Sequence, residues 1–160
     1  ALLEDVFSDI NILLAQFMRA VVLLAAATFV FYGIFLQIAG VPYAILLAGV
    51  AAALEFIPVL GPLSAAAAIV LVATFSGYPH WLAILIFLAL YRLFQDYVLQ
   101  PYLMSSGVEL HPLLVIFGVL AGEQIAGVAG MFLSIPALAT LRVVYVRLIK
   151  WRRGREVALA

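Results

Sequence analysis

The sequence predicts an all-α integral membrane protein, a helical bundle of about five to six transmembrane or re-entrant helices with segments broken at Pro and Gly. Two observations carry this prediction. Hydrophobic residues make up 68% of the 160 residues and charged residues 10%, against roughly 45–50% and 25% in soluble domains. The charges are also confined: no Asp, Glu, Lys or Arg lies between Arg19 and Glu55, or between Glu55 and Arg92. A bilayer span needs about 20 predominantly apolar residues, so each gap holds one long helix or two short ones. A soluble fold of this length would have too little polar sequence to cover such a core.

Residues 2–19 place Leu2, Leu3, Val6, Ile10, Leu13, Leu14 and Phe17 at helical intervals, with Glu4, Asp5 and Asp9 between them. This pattern predicts an amphipathic or juxtamembrane helix over residues 1–19, suited to a membrane surface or a partner helix. Acids ahead of Arg19 are the wrong flank for a signal peptide. Residues 20–149 form the transmembrane bundle. Its first span is Val21–Ile38, ended by Gly40-Val41-Pro42. Tyr43–Ile57 follows, apolar except for Glu55, and stops at Pro58-Val59-Leu60-Gly61-Pro62. Leu63–Phe75 leads into a turn at Gly77–Trp81 whose aromatics suit a membrane interface. Trp81–Gln100 carries Arg92, Gln95 and Asp96 and is expected to end at Pro101. After a polar connection, Met104–His111, the apolar Pro112–Gly122 would extend about 16 Å as a helix, too short to cross. Gly127–Ile149 is long enough, with Pro136 inside it. Residues 150–160 are a basic tail, and six of the eight basic residues lie in the last 19 positions. By the positive-inside rule this end faces the cytoplasm.

Charge at membrane depth is costly and marks candidate sites. Glu55 precedes Pro58, which cannot donate a backbone hydrogen bond and so can leave the Leu54 carbonyl free; Pro62 can do the same for Pro58. Glu55, Pro58, Gly61 and Pro62 therefore form either a broken-helix substrate or ion site or an interfacial turn. Arg92 and Asp96 are four apart on one helix face and can pair, with Gln95 beside them; the pair serves substrate or fixes packing. Glu123 and Gln124 are framed by Gly122 and Gly127, where Gly118-x-x-x-Gly122 offers a close-packing face. They belong to a hairpin tip or an ordinary polar loop. His111 and Glu109 are possible protonatable groups in the connection, or loop residues. An internal echo relates Gly49-Val50…Glu55…Gly61…Ser64 to Gly118-Val119…Glu123…Gly130…Ser134, in the manner of transporter repeats.

Other classes are disfavoured. A net charge of zero carries no nucleic-acid footprint, and the absence of cysteine removes disulfides and thiolate metal sites. Nucleophile-elbow, P-loop and zinc-ligand motifs are missing. No enzyme activity, cofactor or metal is expected.

From Gly40 to Tyr145 the chain resembles the autoinducer-2 exporter family of bacterial membrane proteins, in its C-terminal half. The resemblance rests on Gly40-Val41-Pro42, Glu55-Phe56-Ile57-Pro58-Val59-Leu60-Gly61-Pro62, Gln95-Asp96-Tyr97-Val98-Leu99-Gln100-Pro101, Leu110-His111-Pro112-Leu113 and Gly127 to Pro136. It implies a multi-pass permease of the bacterial inner membrane, a homo-oligomer, and a longer parent with further spans ahead of Ala1. Some relatives export autoinducer-2; others are linked to sodium or lithium/proton exchange. The expectation is a secondary transporter working by alternating access around broken helices in the lipid bilayer. Its partners would be a small-molecule substrate and Na+ or H+. Glu55, Asp96 and Glu123 would be carriers and Arg92 a counter-charge or anion contact. The alternative is a non-transporting membrane scaffold or assembly subunit, in which the same charges fix packing.

Overall fold

Helices form where the apolar segments lie. The computed structural model describes residues 2–103 and 110–158, with the side chains of 2, 3, 112 and 152–158 excepted. Its helices are α1 (Leu2–Ile38), α2 (Ala44–Leu54), α3 (Leu60–Phe75), α4 (Trp81–Leu103) and α5 (Pro112–Ala158). No strand occurs among the described residues, so the predicted all-α class holds. By length and composition α1, α4 and α5 can cross a bilayer, and α2 and α3 are shorter and apolar. Large apolar side chains such as Phe75, Ile38 and Ile125 stand exposed, as a lipid-facing surface requires.

The chain divides into two compact units, Met18–Ser106 and Ala1–Phe17 with Gly107–Ala160. In the first, α2 and α3 make a tight hairpin through small residues. Ala44, Ala48 and Ala51 on α2 are buried, as are Ala65, Ile69 and Ala73 on α3; small side chains let helix backbones approach closely. A ladder of rings joins α1 to α4: Phe35 stacks on Phe87 at 3.8 Å between centroids and Tyr32 meets Tyr91 edge-on at 5.0 Å. The ends of α1 and α3 close alike. Val41 N–H bonds the Leu36 carbonyl and Tyr78 N–H the Ala73 carbonyl, around Gly40 and Gly77 at φ +74° and +70°. These are Schellman closures, and each is followed by a proline that prevents continuation.

In the second unit α5 is interrupted by non-helical dihedrals at Ala126 and Gly127. The helix folds back there. A Cβ on Gly122 would overlap the Gly130 backbone and one on Gly130 the Gly122 backbone, while one on Gly118 would come within 2.6 Å of Leu138 Cδ1. Residues 112–125 thus run beside the start of the longer second arm. From α1, Asp9 accepts a 2.9 Å hydrogen bond from Arg147 Nε, and Phe17 packs on Phe132 at 6.0 Å.

Several boundaries differ from expectation. The amphipathic segment and the first span are one uninterrupted helix, because no Gly or Pro intervenes before Gly33. Helix α3 begins at Leu60, since a proline in the first turn forfeits no intrahelical hydrogen bond. Pro101 does not end α4. Residues Gln95–Leu99 form a π turn in which Gln100 N–H bonds the Gln95 carbonyl. The widened turn gives the Pro101 ring room, and the helix continues to Leu103. The helical backbone likewise continues through 150–158.

Candidate functional site

Glu55 caps the C-terminal end of α2, where the chain leaves the helix for the Phe56–Val59 break. The break is held by a narrow turn. Leu60 N–H bonds the Pro58 carbonyl at 2.6 Å, and Val59 between them has φ 63° and ψ −58°. That combination is a γ-turn of the rare, strained hand, and a β-branched residue at positive φ is unfavourable in itself. Gly61 is buried against the other side of the break, and a Cβ there would overlap the Leu54 carbonyl. The Pro58–Pro62 segment is therefore a sharp, closely packed reversal.

The reversal aims Glu55 at hydroxyls from two other helices. Thr28 Oγ1 on α1 donates to Glu55 Oε1 at 2.8 Å, and Thr28 Oγ1 and the Tyr91 hydroxyl on α4 lie 2.9 Å apart. A threonine hydroxyl has one proton, so with Thr28 donating to Glu55, Tyr91 donates to Thr28. Thr28 and Tyr91 are buried at 1% and 4% exposure. The result is a directed chain, Tyr91 to Thr28 to Glu55, ending on a carboxylate. Gln95, one turn beyond Tyr91 at the start of the π turn, is 1% exposed, and its Nε2 has no hydrogen-bond partner among the described residues.

Beside this chain lies a pocket of about 390 Å³ lined by Tyr32, Val59, Pro62, Leu63, Ala66, Leu85, Leu88, Ala89 and Arg92. Tyr32, in edge contact with Tyr91, stands between the pocket and the hydroxyl chain. Arg92 Nε donates to Asp96 Oδ2 at 2.9 Å, and Gln100 Nε2 donates to Asp96 Oδ1 at 3.2 Å. Both carboxylate oxygens of Asp96 are thus occupied from its own helix.

Glu55, Pro58, Gly61, Pro62, Arg92, Gln95 and Asp96 all lie in the first unit, where Pro62 from the break and Arg92 from α4 line the same pocket. Glu123 and Gln124 belong to the second unit. Both are exposed just before the fold in α5, where Gln124 Nε2 donates to Glu123 Oε2 at 3.0 Å. His111 is exposed and its Nδ1 accepts the Leu113 N–H at 3.3 Å, which makes it a cap for α5. Glu109 lies outside the described residues. Thr28, Tyr32 and Tyr91 are functional candidates that pattern reasoning passed over. Their available signal was spacing: Thr28 and Tyr32 are i, i+4 within a charge-free span, and Tyr91 and Gln95 are i, i+4 on α4. No group of three or more potential metal ligands occurs among the described residues.

A family model described as AI-2E family transporter matches residues 1–150. The chain belongs to the AI-2E transporter family. Among its relatives, a Bacillus subtilis protein with the provisional name transport protein YrrI is 26% identical over 144 residues, 90% of this chain and 41% of its own length. A second from the same organism, provisionally transport protein YueF, is 29% identical over 155 residues, covering 92% of this chain and 41% of the relative. A third, from Mycobacterium tuberculosis, is 33% identical over 127 residues, 79% of this chain and 35% of that protein. The chain thus spans about two fifths of the length of the relatives it matches. No solved structure matches it significantly. With its apolar helices, membership of this family makes the chain part of a membrane protein of a transporter family.

Proposed function

We propose that this chain forms part of a secondary transporter that moves a small solute by alternating access, with Glu55 as its proton- or cation-carrying group. The observation that supports this best is the carboxylate on a helix break, tied to the buried hydroxyls of Thr28 and Tyr91. A carboxylate at the end of a broken helix, facing protein rather than lipid, is where an ion can be taken up and released. Loading Glu55 with a proton removes the charge that orders the Tyr91–Thr28 chain. Because Thr28 and Tyr91 stand on α1 and α4, that change reaches three helices at once.

Asp96, bonded on both oxygens by Arg92 and Gln100 of its own helix, fits a fixed counter-charge better than a carrier, and Glu123 at its exposed position fits an accessory role. Export of autoinducer-2 and sodium/proton exchange are the two activities that the family resemblance brings forward. The proposed setting is the bacterial inner membrane with the basic end in the cytoplasm.

The test is proton- and sodium-coupled flux through the full-length protein in liposomes. We expect Glu55→Gln to reduce coupled flux by more than about tenfold, the scale of one lost charge-assisted interaction. Glu123→Gln should change it by less than about twofold, since surface substitutions away from special features have small effects. Equal flux in wild type and folded Glu55→Gln would remove Glu55 as the carrier.

A further inference from the structure

The pocket beside the break has a chemistry that the Glu55 reading does not use. All of its lining residues but Arg92 are aliphatic or aromatic. Its volume of about 390 Å³ falls within the roughly 300–1,000 Å³ of small-molecule pockets, which combine apolar walls with a few placed polar groups. Arg92 spends only Nε on Asp96. Its two terminal nitrogens have no acceptor among the described residues. A guanidinium carries five N–H donors in a planar fork suited to two oxygens at once, so four of the five are open. The Tyr32 hydroxyl on the same wall also has no hydrogen-bond partner among the described residues.

We infer that this pocket binds a small organic anion, its carboxylate or other oxyanion on the Arg92 fork and an apolar body against Leu63, Ala66, Leu85 and Leu88. A bare cation would meet no carboxylate among the lining residues, and a polyol would leave most of its hydroxyls unpaired against the apolar walls. Asp96 keeps Arg92 in place through Nε without competing for the terminal nitrogens. The site's role as a substrate site rests on the transport reading, whereas its occupancy does not.

The experiment is calorimetric binding of hexanoate and its neutral isostere hexanamide to the full-length protein in phosphatidylcholine nanodiscs. We expect hexanoate to bind at least about tenfold more tightly, the ratio set by one charge-assisted contact. Arg92→Gln should erase that preference. Ala66→Phe fills the pocket while leaving the Arg92–Asp96 pair intact, and should weaken both ligands by about tenfold or more. Equal affinities for the two ligands, or unchanged hexanoate affinity in folded Ala66→Phe, would overturn the inference. If Arg92→Gln fails to fold, the Ala66→Phe result decides alone. Nanodiscs containing phosphatidylglycerol separate two sources of the anion. Loss of hexanoate binding there assigns the site to an anionic lipid headgroup, and retention assigns it to a free solute. Hexanoate binding without coupled flux keeps the site and removes the transport reading. Flux without an anion preference does the reverse.

Discussion

The α2–α3 hairpin and the folded-back arms of α5 are built on one plan. Each has an apolar arm, a glutamate near its end, a non-helical reversal, and a second arm whose first turns carry a serine bonded to its own helix. Ser64 Oγ donates to the Leu60 carbonyl at 2.6 Å and Ser134 Oγ to the Met131 carbonyl at 2.7 Å. In both, glycine brings backbone against backbone: Gly61 at the Leu54 carbonyl, Gly130 at Gly122. What differs is cover. Glu55 sits beneath α1 and α4 and is bonded by Thr28, whereas Glu123 is exposed and bonded by its neighbour Gln124. The same local sequence device therefore makes a bend in both places. Only in the first do further helices supply buried hydroxyls to the glutamate side.

The largest expected effect breaks the shared part of the plan. Gly61→Ala and Gly130→Ala each place a methyl group on backbone that cannot move aside, and each should cost about 3 kcal/mol, the upper range for overpacking. Gly118→Ala is the control, because its methyl meets the flexible end of Leu138 and should cost about 1 kcal/mol. Reversible unfolding in mixed micelles reads all three. If Gly61→Ala and Gly130→Ala unfold with the wild type, close backbone approach is not what forms the hairpins.

The next effect separates the two hairpins. Thr28→Val removes the hydroxyl that joins Tyr91 to Glu55 and leaves both polar groups without that partner, at about 2 kcal/mol. Thr28→Ser should restore most of it. Gln124→Ala removes the corresponding partner of Glu123 at an exposed position, where the loss should be below about 0.5 kcal/mol. Similar losses in Thr28→Val and Gln124→Ala would mean that cover does not distinguish the two carboxylates.

How much of this was legible follows from the range of each signal. The charge-free intervals marked the helices, because a bilayer tests every residue of a span. Glu55 and the Pro58–Pro62 break were legible because a carboxylate and two prolines are rare in an apolar stretch. Thr28 and Tyr91 were not. A hydroxyl in an apolar helix is unremarkable until its partner is known, and these partners lie 27 and 63 residues away. Pro101 misled for a related reason. The rule that proline ends a helix is local, and the π turn at Gln95–Leu99 relieves the clash without stopping the helix. The asymmetry between Glu55 and Glu123 was likewise invisible, since their flanking patterns are alike and only tertiary cover separates them.

The turns themselves sharpen the comparison further. The first hairpin reverses through Val59 at φ 63° and the second through Gly127 at φ 57°. Relief of a strained non-glycine conformation offers about 1–3 kcal/mol, less the 0.5–1 kcal/mol or so of added chain entropy that glycine loses on folding. Val59→Gly should therefore stabilise by about 1 kcal/mol, whereas Gly127→Ala should destabilise by about 2 kcal/mol. A strained residue beside a candidate site is retained where it serves the site, and Val59 also lines the pocket. Val59→Gly is accordingly expected to gain stability and lose hexanoate affinity together. A gain in both would show the strain to be incidental.

The smallest effect concerns how each hairpin is entered. Helix α2 starts after Tyr43, at φ 59° with no side-chain cap, while α5 starts after His111, whose Nδ1 accepts the Leu113 N–H. One capping hydrogen bond contributes about 0.5–2 kcal/mol, and an exposed bond at 3.3 Å belongs at the low end of that range. His111→Ala should cost about 0.5 kcal/mol, and His111→Asn, which keeps an acceptor near Leu113 N–H, should recover it. Coupled flux should be unchanged in both, because a cap orders the first turn of an arm without touching the Glu55 chain. A loss of flux in folded His111→Asn would instead make the imidazole itself a proton-handling group, and would move part of the chemistry from the covered hairpin to the exposed one.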